Sequence, residues 1–258
     1  MIRAVFFDID GTLISHHDLH IPASVMQALD ALHCRGIKTG IATGRHTLEI
    51  EEENLLKDLT FDFYVTLNGQ LCYKKDKLVY DHPMACEDVK KMLEISEKYQ
   101  IPVLLIEAHD MYMNFINDDV IAAQQSIHTA IPPIKAIDID HLPVIYQMCI
   151  YTSPEKIRLL KDLKHTAITQ WHDAAYDLIS DSGSKTEGIA KVLKDEHITL
   201  DEVICFGDGD NDADMLDKCG IGIAMKDASQ KALAAADLVT KSVEEDGIYH
   251  ALKQLKII

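Results

Sequence analysis

Two groups of acids in this chain are spaced closely enough to do chemistry. Asp8 and Asp10 flank Ile9, and Asp208, Asp210, Asp212 and Asp214 crowd with Asn211 into GDGDNDADML at 207–216. Carboxylates this close repel, at about 4 kcal/mol for a contact near 4 Å and an effective dielectric of 20. Either solvent or a cation must offset that cost. A calcium loop counted from Asp208 would need glycine at its sixth position and glutamate at its twelfth. The chain has Ala213 and Cys219 there. An acidic surface loop and a metal site shared with distant parts of the chain remain as readings.

The second reading gains weight from the elements that must position these residues. An apolar run at 2–7 ends in Asp8 and reads as a strand buried on both faces. Helical spacing follows at 22–35, with Pro22 near its start and Gly36 as its stop. A strand at 37–42 leads into Thr43-Gly44-Arg45 and a helical stretch at 46–57, then a strand at 61–66. Later, a helix over 185–196 opens on Ser184-Lys185, and a strand at 203–206 runs into Gly207-Asp208. A short helix at 212–218, a strand at 221–224, a helix at 229–235, a short strand at 238–239 and a helix at 247–255 complete the chain. This alternation predicts an α/β fold with a Rossmann-like parallel sheet and helices on both faces.

Between these halves the pattern changes. A hairpin is expected at 71–73 and 78–80, helices at 87–99 and 118–129, and strands at 103–106, 111–115, 144–151, 167–171 and 176–179. Ser153-Pro154 should open another helix, with serine as N-cap. The core is therefore expected at 1–80 and 181–258, with 81–180 inserted as a separate α/β unit built on an antiparallel sheet.

In open parallel sheets, ligands bind beyond the carboxyl ends of the strands. Asp8, Asp10, Thr43, Gly44, Arg45 and Asp208 all follow core strands, and Lys185 opens a core helix. Two apart in extended chain, Asp8 and Asp10 would share a side. With Asp208 they make a half-open oxygen site that suits magnesium, whose remaining positions can take water and a phosphoryl oxygen. Taken singly, each has a plainer reading. Asp8 is a solvated strand-end acid, Thr43 a helix N-cap, Lys185 a solvated helix lysine, and Asn68-Gly69 a turn.

Composition narrows the partners. The 258 residues carry a formal net charge of −17, with 47% hydrophobic content. That charge opposes nucleic acid and anionic membranes as partners, while a small anionic substrate needs only a locally positive site. Six scattered cysteines without a CxxC pair fit buried free thiols of a reducing cytoplasm. Acid at position 8 falls too early for a signal-peptide core, and no apolar run is long enough to span a membrane.

Asp8-Ile9-Asp10-Gly11-Thr12, Thr43-Gly44-Arg45, Lys185 and Gly207-Asp208-x-x-Asn211-Asp212 resemble, in order and placement, the motifs of the haloacid dehalogenase superfamily. More narrowly they resemble its Cof-type phosphatases, which carry a large α/β cap between the second and third motifs. The resemblance implies a magnesium-dependent phosphohydrolase that acts on small phosphorylated metabolites, such as sugar phosphates or phosphorylated cofactors, through an aspartyl-phosphate. Asp8 would be the nucleophile, and Asp10 the acid and then the base. Asp8, the main-chain carbonyl of Asp10, and Asp208 would hold Mg2+, with Asp212 behind a metal-bound water or Lys185. Thr43, the Gly44 amide, Lys185 and Asn211 would bind the phosphoryl oxygens. Arg45 would face the cap and its substrate, while Asp210 and Asp214 would stay solvated. The cap would select substrate by excluding water, and its His109, Asn114 and Asn117 are polar residues that more often only solvate a surface. A phosphomutase of the phosphomannomutase type shares the nucleophile motif, and a non-catalytic metal- or phosphate-binding protein is the alternative of another class. One departure stands out: Ala224-Met225 is followed by Lys226-Asp227, where many relatives have glycine and asparagine.

Overall fold

The computed structural model describes residues 1–15, 20–56, 59–127 and 129–258. In chain order the first elements are β1 (Ala4–Phe7), α1 (Ala23–Cys34), β2 (Lys38–Ala42), α2 (Thr47–Glu52), β3 (Phe63–Thr66), β4 (Leu71–Lys74) and β5 (Lys77–Asp81). Next come α3 (Cys86–Tyr99), β6 (Val103–Ile106), β7 (Met111–Met113), α4 (Asp118–Ser126), β8 (Gln147–Tyr151), β9 (Thr166–His172) and β10 (Ala175–Ser180). The chain closes with α5 (Lys185–Leu193), β11 (Val203–Gly207), α6 (Ala213–Lys218), β12 (Ile221–Ala224), α7 (Gln230–Ala235), β13 (Leu238–Val239) and α8 (Gly247–Gln254).

These elements form two compact units, Met1–Asp81 with Ser184–Ile258, and His82–Gly183. The first is built on an eight-stranded sheet of order β13-β12-β11-β1-β2-β3-β4-β5. Its strands are parallel from β13 to β3, and β4 and β5 add an antiparallel edge. Neighbouring side chains of β1 go to opposite faces. Phe7 packs with Ile41, Phe206, Val25, Leu29 and Leu252 on the side of α1 and α8. Phe6 packs with Phe63, Ile189, Val192 and Leu216 on the side of α5 and α6. The run is apolar throughout because both of its faces are buried.

The second unit carries a five-stranded antiparallel sheet of order β7-β6-β8-β10-β9. Met92 and Leu93 of α3 pack against Val103, Leu105, Met148, Ile150 and Leu178 on one face of it. The α/β class with a parallel core and a separate antiparallel sheet is thus as the sequence predicts.

Several details differ from expectation. Residues 154–160 form a 3₁₀ helix, and Ser153 makes no side-chain cap bond there. The helix expected over 185–196 turns 3₁₀ after Leu193, and the strand expected from 144 begins at Gln147. Lys57, the last residue of the helix expected over 46–57, and His128, inside that expected over 118–129, lie outside the described residues. Cys72, Cys149, Cys205 and Cys219 are buried, but Cys34 and Cys86 are exposed, because each lies at a helix end and not in an apolar run. Asn114 and Asn117 serve the fold. Asn114 accepts from the Val103 amide at 2.8 Å, and Asn117 caps α4 by accepting from the Val120 amide at 3.0 Å. Among the described residues no helix is long and apolar enough to cross a membrane.

Gly222 shows how tightly the core elements meet. A Cβ there would lie 1.9 Å from the Leu216 carbonyl oxygen, a backbone atom that cannot swing aside. We expect Gly222→Ala to destabilise the protein by about 1–3 kcal/mol through overpacking. The urea midpoint should fall with little change in slope. An unchanged midpoint would contradict this account of the contact between β12 and α6.

Candidate active site

The carboxyl ends of β1, β2, β3 and β11 lie side by side, so the residues that follow them converge. Lys185, the first residue of α5, is fully buried among them. Its Nζ donates to Asp8 Oδ1 at 2.8 Å and to Asp212 Oδ1 at 2.5 Å. Asp212 uses its other oxygen to accept from the backbone amides of Asp208 and Gly209, at 2.9 and 2.8 Å. That pair of bonds folds the 207–212 loop back over its own strand. Gly207 permits it, because a Cβ there would lie 2.6 Å from the Asp212 side chain. Thr12 donates to Asp208 Oδ1 at 3.0 Å and so joins the two acidic segments across the sheet.

Oxygens of Asp8, Asp208 and Asp212 lie within 4.8 Å of one another, and all three residues are buried. Burial pushes the Asp8 carboxyl well above the ordinary carboxylate range. The charge of Asp212 pushes the same way, Lys185 pulls back, and Asp208 and Asp10 add to the rise. Burial alone would lower the Lys185 ammonium, but Asp212 and Asp8 more than reverse that and hold it above its ordinary value. With all three ionised, the carboxylates exceed the ammonium by two negative charges and offer hard oxygen donors. That deficit fits a hard divalent cation.

Asp10 has a different partner. β1 ends at Phe7, and the chain turns through Gly11, whose φ is 74°. Asp10 lies beyond the end of that strand, and its charge still bears on Asp8. Both carboxylate oxygens of Asp10 are gripped by Arg45, from Nε at 2.7 Å and Nη2 at 2.8 Å. Arg45 is buried, and its Nη1 donates to Glu53 at 2.9 Å. Thr43 is buried and accepts from the Arg45 amide at 3.2 Å, while His46 caps α2.

Asn211 Nδ2 donates to Asn68 Oδ1 at 2.9 Å, and a Cβ on Gly44 would lie 3.3 Å from the Asn68 side chain. So Asn68 is more than a turn residue. It takes the turn conformation, φ 54°, and joins the loops that carry Gly44 and Asn211. Asp210 is exposed as expected. Asp214 is not simply solvated, since it pairs with Lys218 one turn along α6. Lys226, at the departure from the family pattern, is paired with Glu245 at 2.8 Å. Thr12, Asn68 and Glu53 join the site without a role there having been assigned to them from the sequence. Thr12 and Asn68 follow strand ends, a signal that could have found them; Glu53 carries no such mark.

A family model for haloacid dehalogenase-like hydrolases matches residues 5–252. The solved structure of the HAD subclass IIB sugar phosphatase BT4131 is similar, with a TM-score of 0.85 and 33% identity over 99% of this chain and 100% of that one. BT1666 from Bacteroides thetaiotaomicron, a HAD phosphatase, has a TM-score of 0.89 and 29% identity, covering 100% of this chain and 96% of its own. YkrA of Bacillus subtilis (strain 168), whose name assigns it to the phosphatases, is 29% identical over 99% of this chain and 98% of its own.

One acid beside the site gives a pH test. Burial raises the Glu49 carboxyl to about 7, although the Arg45 charge and the His46 amide pull it down. With a folded-state value above the unfolded one, the native protein binds the extra proton between them. Its stability contribution is present below the unfolded value and lost as pH rises toward 7. Glu49→Gln keeps an acceptor for the His46 amide and removes the titration. We expect its melting temperature to fall less than wild type's between pH 5 and 8. Parallel pH curves would contradict that assignment.

Proposed function

The chain belongs to the haloacid dehalogenase-like hydrolase family, and from that premise we propose that it is a magnesium-dependent phosphatase. It hydrolyses small-molecule phosphate monoesters through an aspartyl-phosphate on Asp8. The observation that carries this reading is the buried cluster of Asp8, Asp208 and Asp212 around Lys185, short of two positive charges. Sugar phosphates or phosphorylated cofactors are the substrate class, and likeness to the sugar phosphatase BT4131 supports the former. Substrate choice is assigned to the unit His82–Gly183. The net charge speaks against nucleic acid as a partner. Six free cysteines suit a cytoplasmic setting.

Asp8, Asp208 and the main-chain carbonyl of Asp10 are the residues that would hold Mg2+. Bound there, the ion supplies the positive charge that lets an anionic nucleophile meet an anionic phosphoryl group. Lys185 pulls Asp8 toward its ionised form and orients it, a bound cation would complete that ionisation, and Asp212 keeps Lys185 in place. Thr43, the Gly44 amide, Lys185 and Asn211 receive the phosphoryl oxygens. An Asp8 oxygen attacks phosphorus as the bond to the ester oxygen breaks, and Asp10 gives that oxygen its proton. Asp10 then takes a proton from water, which attacks phosphorus and releases Asp8 and inorganic phosphate.

Asp8→Asn should abolish hydrolysis of phosphate monoesters while circular dichroism stays native. EDTA should stop wild-type turnover and Mg2+ restore it. Wild-type rates in the variant, or full activity in EDTA, would overturn the proposal.

A further inference from the structure

Asp10 is the part of the proposed machinery that the fold holds least directly. It sits on a turn beyond β1, and its side chain is 33% exposed. What fixes its carboxylate is Arg45, through two parallel bonds at 2.7 and 2.8 Å. A guanidinium is a rigid planar fork, so holding its remaining edge sets the plane in which it presents the other.

Glu53 holds that edge. It is the C-cap of α2 and accepts from Arg45 Nη1 at 2.9 Å, with 17% of its side chain exposed. α2 in turn is anchored. His46 Nδ1 accepts from the Leu48 amide at 3.0 Å, Glu49 accepts from the His46 amide at 2.8 Å, and Ile50 is buried in the core. The Arg45 main chain is tied to the next strand end, its carbonyl accepting from the Leu67 amide at 3.2 Å. From Glu53 through Arg45, a helix end reaches the Asp10 carboxylate.

We propose that Glu53 is a positioning residue for Asp10, acting through Arg45, an inference that rests on reading Asp10 as the proton donor to the leaving oxygen. An alkyl phosphate expels a basic alkoxide and needs that proton, whereas a nitrophenyl phosphate expels a stable phenolate and needs it far less. Because kcat/KM reports steps through the first departure of the alcohol, the alkyl-to-aryl ratio of kcat/KM isolates the donor. Loss of folded protein lowers both values together and leaves the ratio unchanged.

The test measures this ratio in Mg2+ for wild type, Asp10→Asn, Glu53→Ala and Glu53→Gln. Asp10→Asn should lower it by roughly 100-fold, the usual scale of general acid catalysis. Glu53→Ala should lower it by roughly 10-fold, the scale of a misplaced group that is still present. Glu53→Gln, which keeps an acceptor for Nη1, should recover most of that loss. A ratio unchanged in Asp10→Asn would overturn the reading of Asp10 itself. A ratio that falls in Asp10→Asn but not in Glu53→Ala would overturn the role of Glu53 alone.

Discussion

A fully buried ammonium between two carboxylates is the constraint around which the core unit is arranged. Taking Lys185, Asp8 and Asp212 out of water costs several kcal/mol for each ion, and only close, well-aligned pairing offsets it. The fold supplies that pairing with bonds of 2.8 and 2.5 Å, from residues 177 and 27 positions away in sequence. Removing Lys185 would leave two buried carboxylates without the cation between them. The same cost explains the neighbouring geometry. Asp212 satisfies its second oxygen with two backbone amides, and Gly207 gives it room.

Charge at this edge of the sheet is divided between two cations with different shapes. Lys185 is a point charge set among the acids proposed to attack phosphorus and to hold metal, and it leaves them two charges short when all are ionised. Arg45 is a planar fork that takes one carboxylate on one edge and another on the next. The first arrangement suits a hard cation; the second holds the orientation of one side chain. Asp8 and Asp10 lie only two residues apart, yet one pairs with Lys185 and the other with Arg45.

Much of this was legible in the sequence, for identifiable reasons. β1 and β11 are buried on both faces and so read as unbroken apolar runs, which place Asp8 and Asp208 at strand ends. Lys185 follows a good N-cap, Ser184, which accepts from the Glu187 amide at 3.2 Å. What escaped depends on distance in space. The spacing of Asp8 and Asp10 gave no sign that Arg45 would hold the second of them, a pairing across 35 residues. Nothing around Glu53 marks it among the neighbouring acids of EEEN; only the folded helix aims it at Arg45. Asn68-Gly69 reads as a turn and is one, and its bond to Asn211 spans 143 residues. The 3₁₀ helix at 154–160 shares its opening Ser-Pro with ordinary helices, so its type was not readable locally.

The central claim is that Asp8, held by Lys185, carries the phosphoryl group during turnover. The most direct measurement uses Asp10→Asn with an aryl phosphate in Mg2+, so that departure of the phenolate needs little acid help and attack by water lacks its base. After acid quenching, mass spectrometry of the peptide containing Asp8 should show one added phosphoryl group, in step with the burst of phenolate. A burst matched by free phosphate, with Asp8 unmodified, would contradict the account.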